Sequence, residues 1–295
     1  MTLYGIPPAG IRRFLAPESG REHARFIVDA AHAWWVENRG GAGERTVAVG
    51  VLAGLALSAP SRPDGPDYGP LLIPLSDEGL VDALRAGWNS SWTYDPDLTE
   101  AARPLHDWLS HASGNDTQGL ADYARVLVRA GLLEFCSDTA RAESDDLLGM
   151  LITRMRSYSE RQGTGEFFTP AIAADHVGEV SLATGLEPGS LLLEPCAGTG
   201  TMARAAAAAM RVYGMDPAQY RWWLNDIDPL NVACCAVNAQ LWRLGRRVTV
   251  SCADSLREAR LLEESAHQRA EKARAEQKRR PVLYPTRTRP PYWPF

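Results

Sequence analysis

The chain has 295 residues, 45% of them hydrophobic, and a formal net charge of −5, which is enough length for two domains with hydrophobic cores. The longest apolar stretch, Val47 to Ala59, is too short to cross a bilayer, and residues 1 to 20 lack the layout of a signal peptide. We therefore expect a soluble, cytoplasmic protein without a membrane partner. The cysteines form no CxxC pair and lie near no histidine cluster, which argues against a zinc site and a disulfide framework and favours buried thiols at Cys136, Cys196, Cys234, Cys235 and Cys252.

Residues 1 to 158 are predicted to form an α-helical domain. Apolar residues between Ala24 and Trp35 recur at helical spacing in a helix that ends at Gly40, and a second helix covers Arg45 to Leu57. Further helices are expected over 77–87, 98–111, 117–133 and 144–158. Base stacking is one use for the aromatic residues of this domain. Core packing is the stronger interpretation, because apolar neighbours surround Trp34, Trp35, Trp88, Trp92 and Trp108.

A glycine-rich segment with two aromatic residues precedes the next predicted helix. It reads Gly163-Thr164-Gly165-Glu166-Phe167-Phe168-Thr169-Pro170. Thr169 is suited to cap the following helix with Pro170 at its first position, and a helix start of this kind favours an anionic group such as a carboxylate. The alternative is an ordinary capped helix whose two phenylalanines lie in the core.

The stretch from Gly189 to Gly200 is predicted to be a buried strand that leads into a ligand-binding turn. Leu191 to Leu193 are followed by Glu194, a proline and two glycines, and Thr201 begins an alanine-rich helix. A strand, a glycine turn and a helix follow one another in this order in nucleotide-binding α/β units. A carboxylate at Glu194 would repel a pyrophosphate but would attract an ammonium or sulfonium group, and S-adenosylmethionine carries both. An ordinary strand-to-helix turn is the alternative.

Two further predicted strands also lead to acidic residues. The second strand ends at Asp226, and the third is followed by Asp254. Because the carboxyl ends of parallel strands lie at one edge of a sheet, both carboxylates are expected near Glu194. An acid at the end of the second strand accepts hydrogen bonds from ribose hydroxyls. Asp228 is an alternative for this role, although its position before Pro229 also suits the N-cap of the next helix.

These stretches resemble motifs of the S-adenosylmethionine-dependent DNA adenine-N6 methyltransferases, in particular the modification subunits of type I restriction systems. The resemblance covers about residues 145–256: Glu194 to Gly200 is similar to motif I, Asn225 to Pro229 to motif II, Asp254 to motif III, and 163–170 to motif X. It implies an α/β, Rossmann-like methyltransferase domain over 159–256, after the helical domain and before a basic helix and Pro-rich tail over 257–295. It also implies S-adenosylmethionine as the cofactor and adenine N6 of DNA as the methyl acceptor.

The resemblance also implies a set of cofactor-binding residues. The motif X segment would lie over the methionine end of the cofactor, Asp226 would bind the ribose, and Ile227 would contact the adenine face. Asp254 would accept a hydrogen bond from the exocyclic amine of the adenine. The complete set is Phe168, Thr169, Pro170, Glu194, Pro195, Gly198, Gly200, Asp226, Ile227 and Asp254.

The part of the family pattern that carries catalysis is missing from its expected place. Motif IV consists of Asp or Asn, two prolines and an aromatic residue after a fourth strand, and its oxygens accept the N–H groups of a flipped-out adenine. The region after Asp254 is instead a charged helix. The nearest candidates are Pro290, Pro291 and Tyr292, but Arg289 occupies the Asp or Asn position, and a guanidinium only donates hydrogen bonds.

A chain that stops after the third strand also leaves its sheet incomplete. In this fold the fourth strand pairs with the first. Without a fourth strand, the expected strand order is 3-2-1 and the first strand lies at an edge. Leu191 to Leu193 would then form an apolar edge, which folded proteins avoid. We therefore predict that the tail over 281–295, the helical domain or a second polypeptide covers this edge.

The charge distribution bears on possible partners. Residues 241–295 contain 13 Arg and Lys and 6 Asp and Glu, a net charge of +7, so residues 1–240 carry −12. A basic end can supply contacts to DNA phosphates, although a solvated helix with a disordered tail is the alternative. The first functional hypothesis is a restriction-type DNA methyltransferase, with a separate specificity subunit as a possible partner. The second is a non-catalytic or truncated cofactor- or DNA-binding subunit that needs a partner chain, and a nicotinamide-dependent dehydrogenase is a third, less favoured interpretation.

Overall fold

Helices dominate the first half of the computed structural model, which describes residues 19–39, 45–156, 169–182, 185–257 and 262–286. In this part of the chain ten α-helices lie before residue 157: α1 Gly20–Arg39, α2 Arg45–Leu57, α3 Gly69–Leu72, α4 Asp77–Tyr94, α5 Pro96–Ala101, α6 Arg103–His106, α7 Leu120–Arg129, α8 Leu132–Ser137, α9 Thr139–Ala142 and α10 Leu147–Met155. Short 3-10 turns cover Asp107–Ser110 and Gly114–Thr117.

Strands and helices alternate in the second half. The described elements are α11 Ala171–Leu182, β1 Leu191–Glu194, α12 Thr201–Val212, β2 Arg221–Asp226, α13 Pro229–Leu241, β3 Val248–Cys252 and α14 Leu262–Arg279. β1 covers the predicted Leu191 to Leu193 and one further residue, β2 ends at Asp226 as predicted, and β3 lies before Asp254 as predicted. Alternation of this kind is expected for a parallel sheet, in which helices carry the chain back to the start of each strand.

Helix α2 lies at the centre of the helical part. Its buried residues surround the whole helix, in contrast to the single apolar stripe of α1, and it packs against α4, α6, α8, α10 and α13. Gly50 and Gly54 make this packing possible, because a Cβ at Gly50 would lie 2.1 Å from the carbonyl oxygen of Leu105 and one at Gly54 would lie 2.7 Å from Leu84. A helix that is apolar on all sides is buried on all sides.

Two predicted helices are each broken into shorter pieces. The helix expected over 98–111 is interrupted because Pro104 has no N–H to continue a helix, so α5 ends at Ala101 and α6 begins afresh. The helix expected over 117–133 is interrupted at Gly131, whose φ of 84° lies in the left-handed region. Both breaks come from local residues that the broader apolar pattern concealed.

The three strands form one parallel sheet in the order β1-β2-β3, so the predicted strand order is confirmed. Leu192, Trp222 and Val248 occupy paired positions on the face that packs on the helices. One cluster of buried apolar residues runs from Ala24 in α1 to Tyr284 near the end of the described chain. Its continuity means that helices and sheet share a core, and a domain boundary at residue 158 stays a prediction.

The other face of the sheet is more open. Leu191 and Leu193 of β1 retain 45% and 55% of their accessible surface, although apolar strands of parallel sheets are usually covered on both faces. The prediction of a buried strand is therefore wrong for these two residues, because no described element packs on this side of β1. In the described part of the chain, β1 pairs with β2 alone. Among the residues that the structure describes, no segment of the helical part pairs with this edge, and the described portion of the tail packs elsewhere.

The tail packs against the helical part of the molecule. The side chain of Asn89 donates to the carbonyl oxygen of Tyr284 at 2.9 Å and accepts from its N–H at 2.9 Å. The Tyr284 hydroxyl reaches His106, and Trp92 donates to the carbonyl of Arg280 at 3.0 Å. Residues 280–284 therefore form a specific structural contact, which the sequence analysis treated only as part of a basic tail.

The prediction that β1 is covered can be tested by amide exchange. Arg221 donates its N–H to Ser190, so alternation along the strand directs the N–H of Leu192 towards β2 and that of Leu193 towards the open edge. If residues outside the described ranges cover the edge, hydrogen–deuterium exchange of the full-length chain will be slow at both amides. Fast exchange at Leu193 with slow exchange at Leu192 would contradict coverage by this chain. A second polypeptide would then be the remaining candidate for covering the edge.

Core packing is confirmed for the tryptophans of the helical part, since Trp35, Trp88 and Trp92 are buried. The prediction of buried thiols holds for three cysteines, whereas it is wrong for Cys196, which is exposed beside the glycine turn, and only partly right for Cys252. In the described ranges, none of the helices combines the length and the apolar character that crossing a membrane requires.

Candidate functional site at the carboxyl edge of the sheet

The glycine turn between β1 and α12 is held by backbone hydrogen bonds. Ala197 donates its N–H to the carbonyl of Asn225 at the end of β2 at 2.7 Å, and Gly200 donates to Ala197 at 2.8 Å. Gly198 and Gly200 have φ angles of 57° and 101°, a region that side chains other than glycine rarely adopt. A Cβ at Gly200 would also lie 2.9 Å from the ring of Trp242, so this position requires glycine for two reasons.

The predicted carboxylates follow the three strands. Glu194 ends β1, Asp226 ends β2, and Asp254 lies two residues after β3. The N–H of Ala253 donates to the carbonyl of Asp226 at 3.0 Å, which fixes the segment after β3 beside the end of β2. All three side chains are half-buried. The tertiary structure therefore gathers the acidic residues at one edge of the sheet.

The three carboxylates differ in how many hydrogen bonds they already accept. Glu194 accepts one described bond, from the N–H of Cys196 at 3.1 Å. Asp254 accepts from the N–H groups of Leu256 and Arg257 at 3.0 and 3.3 Å, and its other oxygen lies 3.5 Å from the exposed guanidinium of Arg257. Because a carboxylate offers about four acceptor positions, Glu194 and Asp254 both keep capacity for a ligand.

Asp226 is the most engaged of the three. It accepts from the N–H of Gly198 at 2.8 Å, from the N–H of Asp228 at 2.9 Å and from the side-chain amide of Asn231 at 3.3 Å. These bonds tie the glycine turn to the end of β2, and they leave about one acceptor position for a ribose hydroxyl. Asp226 is thus a structural part of the turn as well as a candidate ligand.

Asp228 has a separate role. One of its oxygens accepts from the N–H of Leu230 at 2.7 Å and caps α13, while the other accepts from Arg156 at 2.8 Å. Asp228 is therefore the N-cap of α13, which is the alternative role predicted for it. Between the two acids, the side chain of Ile227 is 68% exposed, which leaves it accessible to a flat apolar ligand surface.

The predicted motif X residues lie only partly within the described ranges. Thr169 and Pro170 are exposed just before α11, which begins at Ala171, one residue later than predicted, and the carbonyl of Pro170 accepts from Ala174 at 3.0 Å. Helix α11 packs against α12, the helix that follows the glycine turn. Phe168 lies outside the described residues, as do Pro290, Pro291 and Tyr292.

An ion pair between a buried arginine and a half-buried aspartate joins α11 to α12. Asp175 of α11 accepts from Arg204 of α12 at 2.6 Å, and Arg204 also donates to the carbonyl of Glu143 at 2.7 Å. Arg204 is only 1% exposed. Because breaking one member of a buried pair leaves an uncompensated charge, the position of α11 next to the turn is strongly determined.

Asp146 lies directly behind the turn, although it was not among the predicted site residues. Its carboxylate accepts from the hydroxyls of Thr199 and Thr201, the second at 3.1 Å, from the side-chain amide of Asn238 at 2.8 Å and from the N–H of Gly149 at 2.9 Å. Burial raises its pKa, and these hydrogen bonds oppose the rise. A signal was present, because Asp before an apolar helix is an N-cap pattern.

Asn225 is the second residue that the sequence analysis left without a role. Its side-chain amide donates to the carbonyls of Pro195 and Ala253 at 3.1 and 2.9 Å, and its oxygen accepts from Ser251 at 2.7 Å. One buried side chain therefore joins the ends of all three strands. Nothing in the local sequence indicates this role, since it depends on the register of the sheet.

The electrostatic consequence of this arrangement is visible at Cys235, which lies on α13 against the glycine turn. Burial raises the pKa of the Cys235 thiol, and the negative charges of Asp146, Asp226 and Glu194 raise it further. A region with this charge favours cations and hydrogen-bond donors and disfavours pyrophosphate.

No protein-family model matches this sequence, and no match was found among curated proteins. Among solved structures, the chain is similar to the methyltransferase subunit of a type I restriction-modification system from Streptococcus thermophilus, with 12% identity and a TM-score of 0.49 over 82% of this chain and 60% of that one. It is also similar to the DrdV–DNA complex, with 15% identity and a TM-score of 0.37 over 87% of this chain and 27% of that one. The chain thus spans less than two thirds of either structure.

Proposed function

We propose that the carboxyl edge of the sheet binds S-adenosylmethionine and that the chain acts in the methylation of adenine N6 in DNA, as part of a restriction-modification type of methyltransferase. The observation that carries this proposal is the placement of Glu194, Asp226 and Asp254 around a glycine turn at adjoining strand ends. The resemblance of residues 145–256 to methyltransferase motifs supports the same conclusion.

The residues at this edge suit the different parts of that cofactor. Glu194 has acceptor capacity for the ammonium group and a charge that attracts the sulfonium. Asp226 has one remaining acceptor position for a ribose hydroxyl, and Asp254 has capacity for the adenine amine. The exposed side chain of Ile227 offers an apolar contact to the adenine ring. When bound, the cofactor would supply an electrophilic methyl group, while these side chains would hold and orient it.

Methyl transfer also needs a hydrogen-bond acceptor for the amine of the substrate adenine in DNA. The described residues do not provide this acceptor. Arg289 precedes Pro290, Pro291 and Tyr292, and its donors cannot ready an adenine nitrogen for methyl transfer. The open edge of β1 is where an additional strand would pair. We therefore keep a second candidate function: a cofactor- or DNA-binding subunit that is inactive until a partner chain completes the sheet and supplies the acceptor.

Two measurements separate these functions. Isothermal titration of the purified chain with S-adenosylmethionine tests the site, and we expect saturable binding with one cofactor per chain. Transfer of a labelled methyl group to adenine-containing duplex DNA then tests catalysis. Binding with transfer supports the methyltransferase, and binding without transfer supports the subunit that needs a partner. Absence of cofactor binding would contradict the methyltransferase and leave only the DNA-binding form of the subunit, and binding of NAD instead would favour the dehydrogenase.

A further inference from the structure

A cavity lies on the molecule away from the glycine turn. It has a volume of about 520 Å³, follows β3 and is bounded by β2, α5 and α14. Its lining includes five arginines but only two acidic residues, Asp97 and Glu100. The arginines are Arg221, Arg246, Arg247, Arg269 and Arg274. A cavity with this excess of guanidinium groups is suited to an anionic ligand.

Both acidic residues of the lining are already paired. Asp97 accepts from Arg274 at 2.5 Å, and Glu100 forms an ion pair with Arg103, which lies outside the lining. Asp95 also acts on Arg246 and Arg274 through its charge, although its carboxylate caps α5 by accepting from Leu98. These acids compensate the positive charge of the arginines on the helical side of the cavity. The positive charges of the arginines on the sheet are not compensated by them.

Arg221 and Arg247 are the uncompensated pair. Trp222 is paired with Val248, so the register places Arg221 beside Arg247 at the start of adjacent strands. Both side chains are exposed. Arg221 uses its Nε to donate to the carbonyl of Gly189 at 3.1 Å, and in the described ranges neither guanidinium has an acidic partner. Like charges at neighbouring positions of a sheet destabilise it, and a bound anion would relieve that cost.

We propose that this cavity binds the phosphate backbone of nucleic acid, with Arg221 and Arg247 as its principal phosphate ligands. Arg246 would be a further phosphate ligand. Its position is fixed because it donates to the carbonyl of Tyr94 at 3.1 Å and lies over the Tyr94 ring at 4.9 Å. Arginine forms bidentate hydrogen bonds with phosphate oxygens, which makes it well suited to this contact.

The direction of the cavity favours a long polyanion over a small one. Its lining extends from Arg247, the residue just before β3, to Cys252 at the end of that strand, and Cys252 precedes Asp254 at the carboxyl edge. The strand spans roughly 17 Å at about 3.3 Å per residue. Since one strand of DNA advances about 3.4 Å per nucleotide, a backbone held at Arg221 and Arg247 would place a base about five nucleotides away at the carboxyl edge.

This inference rests on the proposed function, because it identifies where the DNA substrate would be held. It also deepens the sequence-level expectation that residues 241–295 contact phosphates. Only four of the thirteen basic residues in that range line the cavity, and Arg221 comes from outside it. The tertiary structure therefore selects a specific group from a generally basic region.

The test is fluorescence anisotropy with a labelled 20-base-pair duplex and the full-length chain without cofactor. The double variant Arg221→Gln and Arg247→Gln should bind about tenfold more weakly, and the slope of log affinity against log salt should fall by about two. The Arg221→Lys and Arg247→Lys double variant should retain most of the affinity, since the charge is kept. Arg25→Gln is the matched control, because Arg25 is an exposed arginine on α1 that is distant in sequence from the residues lining the cavity. This variant should bind DNA as the unmodified chain does.

Several outcomes would overturn the proposal. These are absence of DNA binding by the unmodified chain, an unchanged affinity and salt slope in the Gln variant, and competition by inorganic phosphate at submillimolar concentration, which would indicate a small-anion site. Far-ultraviolet circular dichroism and thermal unfolding of each variant exclude misfolding as the cause of any loss. Because the assay contains no cofactor, failure of S-adenosylmethionine binding and failure of this site give different results.

Discussion

Replacing Glu194 by alanine is expected to weaken S-adenosylmethionine binding by about 10- to 100-fold, which corresponds to the loss of one or two charge-assisted hydrogen bonds of about 1.5–3 kcal/mol. The reason is that Glu194 accepts only one described intramolecular bond and keeps the most acceptor capacity of the three carboxylates. Isothermal titration with the cofactor measures the change. The midpoint of thermal unfolding should change little, because Glu194 is half-buried and lies at the end of an exposed edge strand.

A variant that keeps the shape of Glu194 and removes its charge, together with a control variant, tests whether the charge matters. Glu194→Gln keeps the size of the side chain and removes its charge, so an intermediate affinity is expected if the charge attracts the cofactor. Glu187→Gln is the matched control, because Glu187 is an exposed carboxylate in the loop before β1. Unchanged affinity in the Glu194 variants would remove the main support for the proposed cofactor site.

Asp226 requires a different interpretation in the same assay. Asp226→Ala should also weaken cofactor binding, but it removes three intramolecular hydrogen bonds that hold the glycine turn. A loss of affinity accompanied by a lower unfolding midpoint is therefore expected for Asp226, in contrast to Glu194. The comparison separates a residue that contacts ligand from one that also shapes the turn.

Replacing Asp146 by alanine is expected to lower the free energy of unfolding by about 3–5 kcal/mol, among the largest effects of any single substitution in the site. The carboxylate is buried and accepts from Thr199, Thr201, Asn238 and Gly149. Alanine would leave these donors without an acceptor in a place that water does not reach. Urea denaturation measures the change in the free energy of unfolding.

The same substitution should also loosen the glycine turn. Amide exchange at Thr199 and Gly200 is expected to become faster in Asp146→Ala, because two of the lost hydrogen bonds come from threonines in or beside the turn. Asp64→Ala is the control, since Asp64 is a well-exposed carboxylate that forms an exposed ion pair with Arg62, and it should change stability by less than about 0.5 kcal/mol. A stable Asp146→Ala protein with an unchanged turn would show that the network contributes little.

The predictions that succeeded from sequence rest on short-range patterns. Leu191 to Glu194 followed by a glycine turn predicts β1 and its connection to α12 because apolar runs, glycines and alanines act over a few residues. Asp226 and Asp254 were expected at one edge because parallel strands share a direction. The position of β1 at an edge was expected from the predicted strand order, but the exposure of Leu193 was not, because the strand was predicted to be buried and covered.

The failures have equally specific causes. Pro104 and Gly131 broke helices that the apolar pattern alone would have continued. The role of Asp146 depends on contacts with residues 53 to 92 positions away, and the packing of Tyr284 on Asn89 spans 195 positions. Local patterns carry no information about such separations, because each contact exists only once both segments have folded.

By itself, the sequence determined the order of the elements, the acidic ends of the strands and the glycine conformations of the turn, since hydrophobic periodicity and backbone sterics act locally. Only the tertiary structure decided which of those groups remain available to a ligand. It showed Asp226 engaged with Gly198, Asn225 joining three strand ends, and Arg221 beside Arg247. Hydrogen-bond partners and charge neighbours are set by strand register and helix packing, and these in turn by burial of one core that the helices and the sheet share.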